Sequence, residues 1–171
     1  MELTTPDQIR QFLARLGETL TVPVELYVFG GSALLLVGGR RNTADIDYSL
    51  RSNTLDVCRQ IIAKVAAELQ VDVEESEPSE FLPLAPGADA RNELLGRFGQ
   101  LTIYILDPYS IAAMKMVRAF PSDMQDVRSL LSLGKIDLHR LGQYIEDIAR
   151  RYDEPMRLRR NFAEFRRLVS G

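Results

Sequence analysis

Residues 24–50 read VELYVFGGSALLLVGGRRNTADIDYSL, and the order of elements in this stretch decides the fold. Val24 to Phe29 is rich in β-formers and ends at Gly30-Gly31, which predicts a strand running into a tight turn. Ser32 to Val37 is apolar and predicts a short buried helix stopped by Gly38-Gly39. Asp45 to Leu50 alternates polar and apolar residues, as a strand with one buried face does.

Two segments inside this stretch carry chemistry. In Phe29-Gly-Gly-Ser-Ala-Leu34, Gly30 and Gly31 let a backbone approach a ligand closely, and the following helix offers free N–H groups and a positive dipole end. Such a turn can hold a triphosphate, with the Ser32 hydroxyl as an extra donor. In Asp45-Ile-Asp47 the acids are two apart, so in a strand both carboxylates share one face. Adjacent carboxylates repel unless a cation lies between them, and Mg²⁺ takes oxygen ligands and bridges phosphates. A phosphate cradle, a metal and an aligned acceptor are what phosphoryl or nucleotidyl transfer needs. Arg40, in the intervening loop, is a further phosphate candidate, although exposed Gly-Gly-Arg-Arg loops are common.

Outward from there, Thr5-Pro6-Asp7-Gln8 predicts a capped helix start, followed by Ile9, Phe12, Leu13 and Leu16 at helical spacing. Leu55, Cys58, Ile61, Ile62, Val65 and Leu69 mark an amphipathic helix over 54–69, and Val71–Glu74 a short strand. Residues 75–91, with Pro78, Pro83, Pro86 and Gly87, read as the longest loop. Leu101–Leu106 is a strand. Helices follow at about 108–119, 122–133 (with a Ser122/Gln125 capping box), 137–151 and 155–169. The expected architecture is an α/β (α+β) core over 1–108 and a helical C-terminal subdomain over 109–171 packed on it.

Composition excludes several classes. The chain has 171 residues, 46% hydrophobic and 26% charged, as a soluble globular protein has. A single cysteine, Cys58, and a single histidine, His139, leave no disulfide framework, cysteine zinc site or paired-imidazole site. Apolar runs fall short of the ~20 residues of a membrane span, and the polar, acidic N-terminus is unlike a signal peptide. A cytoplasmic protein with no membrane partner is expected. Net charge is −3, yet Arg150–Arg167 holds seven arginines and carries +4, leaving −7 elsewhere. Arginine suits phosphate, so this segment is an RNA or nucleotide contact, or else a solvated helix face with local ion pairs.

The stretch GGSALLLVGGRRNTADIDYSL resembles the signature of nucleotidyltransferase-fold proteins of the AbiEii type: Gly-Gly-(Ser/Thr)-Ala-Leu, a basic residue before Thr, then X-Asp-(Ile/Leu/Val)-Asp. A second element of that family, a helical Lys, an Arg shortly after and then Asp-X-X-Asp-(Ile/Val/Leu), is matched by Lys115, Arg118 and Asp123-Met-Gln-Asp126-Val127. The resemblance spans roughly residues 24–131. It implies a small mixed β-sheet flanked by helices, with a helical C-terminal part. It also implies that Gly30, Gly31 and Ser32 hold nucleotide phosphates and that Asp45 and Asp47 bind Mg²⁺ (or Mn²⁺). Arg41 and Thr43 would support that loop, Lys115 would reach a phosphate from its helix, and Arg118 would join the nucleotide-binding residues. Asp126, with Asp123 as the alternative, would face the site. The implied activity is Mg²⁺-dependent transfer of a nucleotidyl group from an NTP to an acceptor such as tRNA or another RNA. The implied setting is a bacterial toxin–antitoxin or phage-defence pair with a cognate antitoxin protein.

The residues themselves agree about Lys115. It sits among Ile111, Ala112, Ala113, Met114, Met116 and Val117, where an ammonium is costly unless it finds an anion or snorkels to the surface. One element departs from the broad superfamily, in which a third carboxylate often stands on a later strand. Leu101–Leu106 contains no acid. Asp107 at its end reads equally well as a helix cap, and Asp72 as a solvent-facing position. The alternative function is therefore a degenerate domain that binds nucleotide or a partner without turnover.

Overall fold

The computed structural model describes residues 3–40 and 42–170, so Arg41, expected to support the site loop, lies outside the described residues. Its elements in chain order are α1 Pro6–Thr19, β1 Val24–Val28, α2 Gly30–Leu36, β2 Ile46–Arg51, α3 Leu55–Leu69, β3 Val73–Glu75, α4 Pro78–Phe81, β4 Glu93–Phe98, β5 Leu101–Ile105, α5 Pro108–Arg118, α6 Pro121–Ser132, α7 Leu138–Ala149 and α8 Pro155–Ser170. Internal packing groups them into two units. One holds the described residues up to Glu77 together with Asn92–Leu106; the other holds Pro78–Arg91 and the chain from Asp107 onward.

The first unit is built on a five-stranded mixed sheet in the order β3-β2-β1-β5-β4. β1 runs antiparallel to β2 and parallel to β5, β3 is parallel to β2, and β4 is antiparallel to β5. Register pairs Leu26 with Leu50 and Ile103, and Val28 with Tyr48 and Ile105, so one face is apolar and buried. Helix α1 adds Ile9, Phe12, Leu13 and Leu16 to this core, and α3 adds Cys58, Ile62 and Val65. The two-residue period puts Glu25, Tyr27, Asp47, Ser49, Arg51, Thr102 and Tyr104 on the opposite face. There Tyr27 and Tyr104 stack with ring centroids 5.1 Å apart.

Local chemistry accounts for the boundaries. At the start of α1, Thr5 Oγ1 accepts the Gln8 N–H while Gln8 Oε1 accepts the Thr5 N–H at 2.9 Å, a reciprocal capping box. Just before it, Thr4 and Thr43 exchange backbone hydrogen bonds of 2.8 and 3.0 Å. Strand β4 is absent from the sequence reading. Leu94 and Leu95 are exposed and a register slip between Leu94 and Gly96 breaks the alternation that betrays a strand. That bulge also blunts the outer edge of the sheet.

In the second unit, residues 78–91 are more ordered than a loop. They contain α4 and a 3-10 turn at Asp89–Arg91, and Arg91 forks onto Asp107 at 3.1 and 2.9 Å. Helix α6 begins at Pro121 rather than at Ser122. The Asp123 carboxylate accepts the Phe120 N–H at 3.2 Å, so it supplies the cap expected of Ser122 and Gln125. Asn161 Nδ2 donates to the Met116 carbonyl at 2.8 Å and ties α8 to α5. Leu141, Ile145, Ile148, Leu158 and Phe165 are buried in this unit's core. Among the described residues no helix is long and apolar enough to cross a membrane.

Candidate active site

The turn from β1 into α2 is shaped around Asp47. Gly30 has φ of +60°, a conformation that favours glycine, and a Cβ there would lie 2.0 Å from Asp47 Oδ2. The Gly31 N–H donates to the same oxygen at 3.2 Å. Ser32 is fully buried; its hydroxyl donates to the Phe29 carbonyl at 2.9 Å and accepts the Asp47 N–H at 3.0 Å. In this structure, then, Gly31 and Ser32 orient a carboxylate. Thr43 is buried behind them, pinned through Thr4, and a Cβ on Gly31 would meet Thr43 Oγ1 at 2.5 Å and Arg40 Nη1 at 2.7 Å.

Asp45 stands immediately before β2 rather than inside it, and Asp47 is the second residue of that strand. Parallel pairing sets Glu74 of β3 opposite Asp47. One carboxylate oxygen from each of Asp45, Asp47 and Glu74 lies within 4.8 Å of the other two. Asp45 and Asp47 are half-buried and Glu74 is exposed. Three like charges at such spacing repel, and an all-oxygen donor set suits a hard divalent cation such as Mg²⁺ or Mn²⁺.

Glu74 is the candidate site residue that sequence reasoning missed. Its signal was the predicted strand–helix–strand over 45–74, because a helical crossover of that length makes the two strands parallel neighbours. Neither acid weighed as a third carboxylate joins the trio. Asp72 meets β2 through its carbonyl, which accepts the Ile46 N–H at 2.9 Å. Asp107 is wholly buried in the helical unit, where it caps α5 through the Tyr109 N–H and holds Arg91.

The second group of predicted residues also converges, within the helical unit. Lys115 is nearly buried, with Nζ 2.8 Å from Asp126 Oδ2 and 3.3 Å from Asp123 Oδ1. Arg118 forks onto Asp123 at 2.7 and 2.5 Å. Burial raises the Asp123 carboxyl, but the Arg118 hydrogen bonds and the Lys115 and Arg118 charges outweigh it and hold the pKa below the ordinary value. The anion that an embedded Lys115 requires is thus a pair of α6 carboxylates. Gly30, Gly31, Ser32, Thr43, Asp45 and Asp47 belong to the sheet unit, and Lys115, Arg118, Asp123 and Asp126 to the helical unit. His139 is exposed beside Gln143, and Cys58 is a core residue.

A mixed sheet with a glycine turn after its first strand, and a carboxylate trio from the start of β2 and from β3, is the arrangement of a nucleotidyltransferase fold. The same fold occurs in an antigenic nucleotidyltransferase-like protein from Paracoccidioides brasiliensis. The two superpose with a TM-score of 0.55 over 92% of this chain and 94% of that one, at 15% sequence identity. The chain belongs to the family described as nucleotidyltransferase of unknown function (DUF6036), which matches residues 7–168. No curated protein matches it.

Proposed function

We propose that this protein is a metal-dependent nucleotidyltransferase that moves a nucleotidyl group from an NTP onto a hydroxyl acceptor. The convergence of Asp45, Asp47 and Glu74 within 4.8 Å, beside a glycine turn, carries the reading. Mg²⁺ or Mn²⁺ held by these carboxylates would neutralise phosphate charge and polarise the α-phosphate. Gly31 and Ser32 keep Asp47 aimed at that position, and the bare Cα atoms of Gly30 and Gly31 let the Asp47 carboxylate, Thr43 Oγ1 and Arg40 Nη1 pack directly against the turn. In the transfer, the acceptor oxygen bonds to the α-phosphorus. The bond to the α–β bridging oxygen breaks, and its electron pair leaves with pyrophosphate. Glu74, the exposed acid, takes the hydroxyl proton.

The AbiEii resemblance supports an RNA acceptor, tRNA first, and a toxin–antitoxin or phage-defence setting with a cognate antitoxin. Within the arginine-rich segment, Arg150, Arg157 and Arg159 pair with Asp147, Glu154 and Glu146, and Arg151 donates to the Leu84 carbonyl. An RNA contact there falls to the exposed Arg160, Arg166 and Arg167. The degenerate-site alternative rests on a missing third acid, and the position of Glu74 beside Asp45 and Asp47 supports turnover over that alternative.

The test is incubation with each α-³²P-labelled NTP, Mg²⁺ and total bacterial RNA, with Asp45→Asn and Glu74→Gln as controls. Label in a tRNA-sized band, lost in Asp45→Asn and strongly reduced in Glu74→Gln, is the expected result. Label that persists in Asp45→Asn refutes the metal assignment. No label from a protein that still binds NTP establishes the degenerate reading instead.

A further inference from the structure

Resting on the nucleotidyltransferase reading, we infer that Arg40 is the residue that grips the β- and γ-phosphates and stabilises the departing pyrophosphate. Gly31 lies between two functional groups. Its N–H points to Asp47 Oδ2 at 3.2 Å, and its Cα faces Thr43 Oγ1 and Arg40 Nη1, which an added Cβ would approach to 2.5 and 2.7 Å. Acid trio, glycine turn and guanidinium therefore follow one another across a few ångströms of the sheet unit. A triphosphate with its α-phosphate at the carboxylates and its chain running past the Gly30-Gly31 turn reaches Arg40 on the far side of Gly31.

The chemistry of that end is specific. Breaking the α–β bridge moves negative charge onto the pyrophosphate, so a cation there gains interaction as the bond breaks. Guanidinium forks onto phosphate oxygens through its five N–H donors, and its single delocalised charge persists to high pH, so ordinary pH leaves its side of the contact intact. Arg40 is half-exposed, so a phosphate can reach it, and its loop is anchored at Thr43 through Thr4. Neither the Gly31 N–H nor the Ser32 hydroxyl, both engaged with Asp47 or its neighbours, supplies such a charge.

Calorimetry with an α,β-methylene NTP, inorganic pyrophosphate and the matching nucleoside monophosphate, each with Mg²⁺, tests the assignment on wild type, Arg40→Ala and Arg40→Lys. Arg40→Ala should weaken the triphosphate analogue and pyrophosphate roughly tenfold or more, as loss of a charged hydrogen bond does, and leave the monophosphate unchanged. Arg40→Lys should recover part of the loss, and all three proteins should melt together. Equal binding of the triphosphate analogue by wild type and Arg40→Ala overturns the role of Arg40 alone. Equal weakening of triphosphate and monophosphate overturns the assignment to the leaving end. A wild type that binds none of the three ligands overturns the nucleotide reading itself, and Arg40 falls with it.

Discussion

Gly30 satisfies two constraints that no other residue meets together. Its φ of +60° strains any side chain, and an added Cβ would lie only 2.0 Å from Asp47 Oδ2, a collision. Gly38 shares the positive φ, at +84°, but has nothing within 4 Å of a built Cβ. The pair makes an internal control. Gly30→Ala should destabilise the protein by about 1–3 kcal/mol in denaturant titration and abolish the rise in melting temperature on adding Mn²⁺. Gly38→Ala should cost only the backbone strain, about 1 kcal/mol, and keep the metal response. At this scale the sequence was informative about residue type and spacing: Asp45, Asp47 and the glycine pair were visible as a unit. Ser32 was visible too, but the bond by which its hydroxyl accepts the Asp47 N–H depends on β2 returning beside β1, which local sequence does not encode.

Among the elements, α5 and α6 are joined by charges that acid can remove. Asp123 has a lowered pKa, so its contribution to stability is present above the unfolded value of about 3.9 and is lost as pH falls through the still lower folded value. Denaturation followed by far-UV circular dichroism should show stability falling steeply below about pH 4 in wild type. Asp123→Asn should start about 1–3 kcal/mol lower at neutral pH and show a shallower acid slope. An unchanged slope would move the acid sensitivity to other carboxylates. Elements with local signals were legible: Thr5 and Gln8 announced α1, and Asp107 and Asp137 cap α5 and α7 from their own loops. β4 was not, because an edge strand with a bulge and exposed leucines lacks the period-two pattern. Lys115 announced its need for an anion, while its partners lie on the next helix, beyond the reach of local spacing.

Across the whole molecule, the carboxylate trio exists only because β3 returns to lie parallel to β2 after α3. The chain leaves α3 through Gln70, whose φ of +56° turns it sharply, and only Val71 and Asp72 separate that turn from β3. This short joint acts as a phase lock, since a strand presents every second residue to a given side. The tandem Glu74-Glu75 makes the lock forgiving in one direction only. Removing one residue from the joint brings Glu75 opposite Asp47, so an acid stays in place and the Mn²⁺-induced rise in melting temperature should survive. Adding one residue brings Val73 there, turns Glu74 toward the Tyr48 side of the sheet and should erase that rise. The doublet is thus a molecular spare, a second charge held one step behind the first, where a shortened joint can still deliver it.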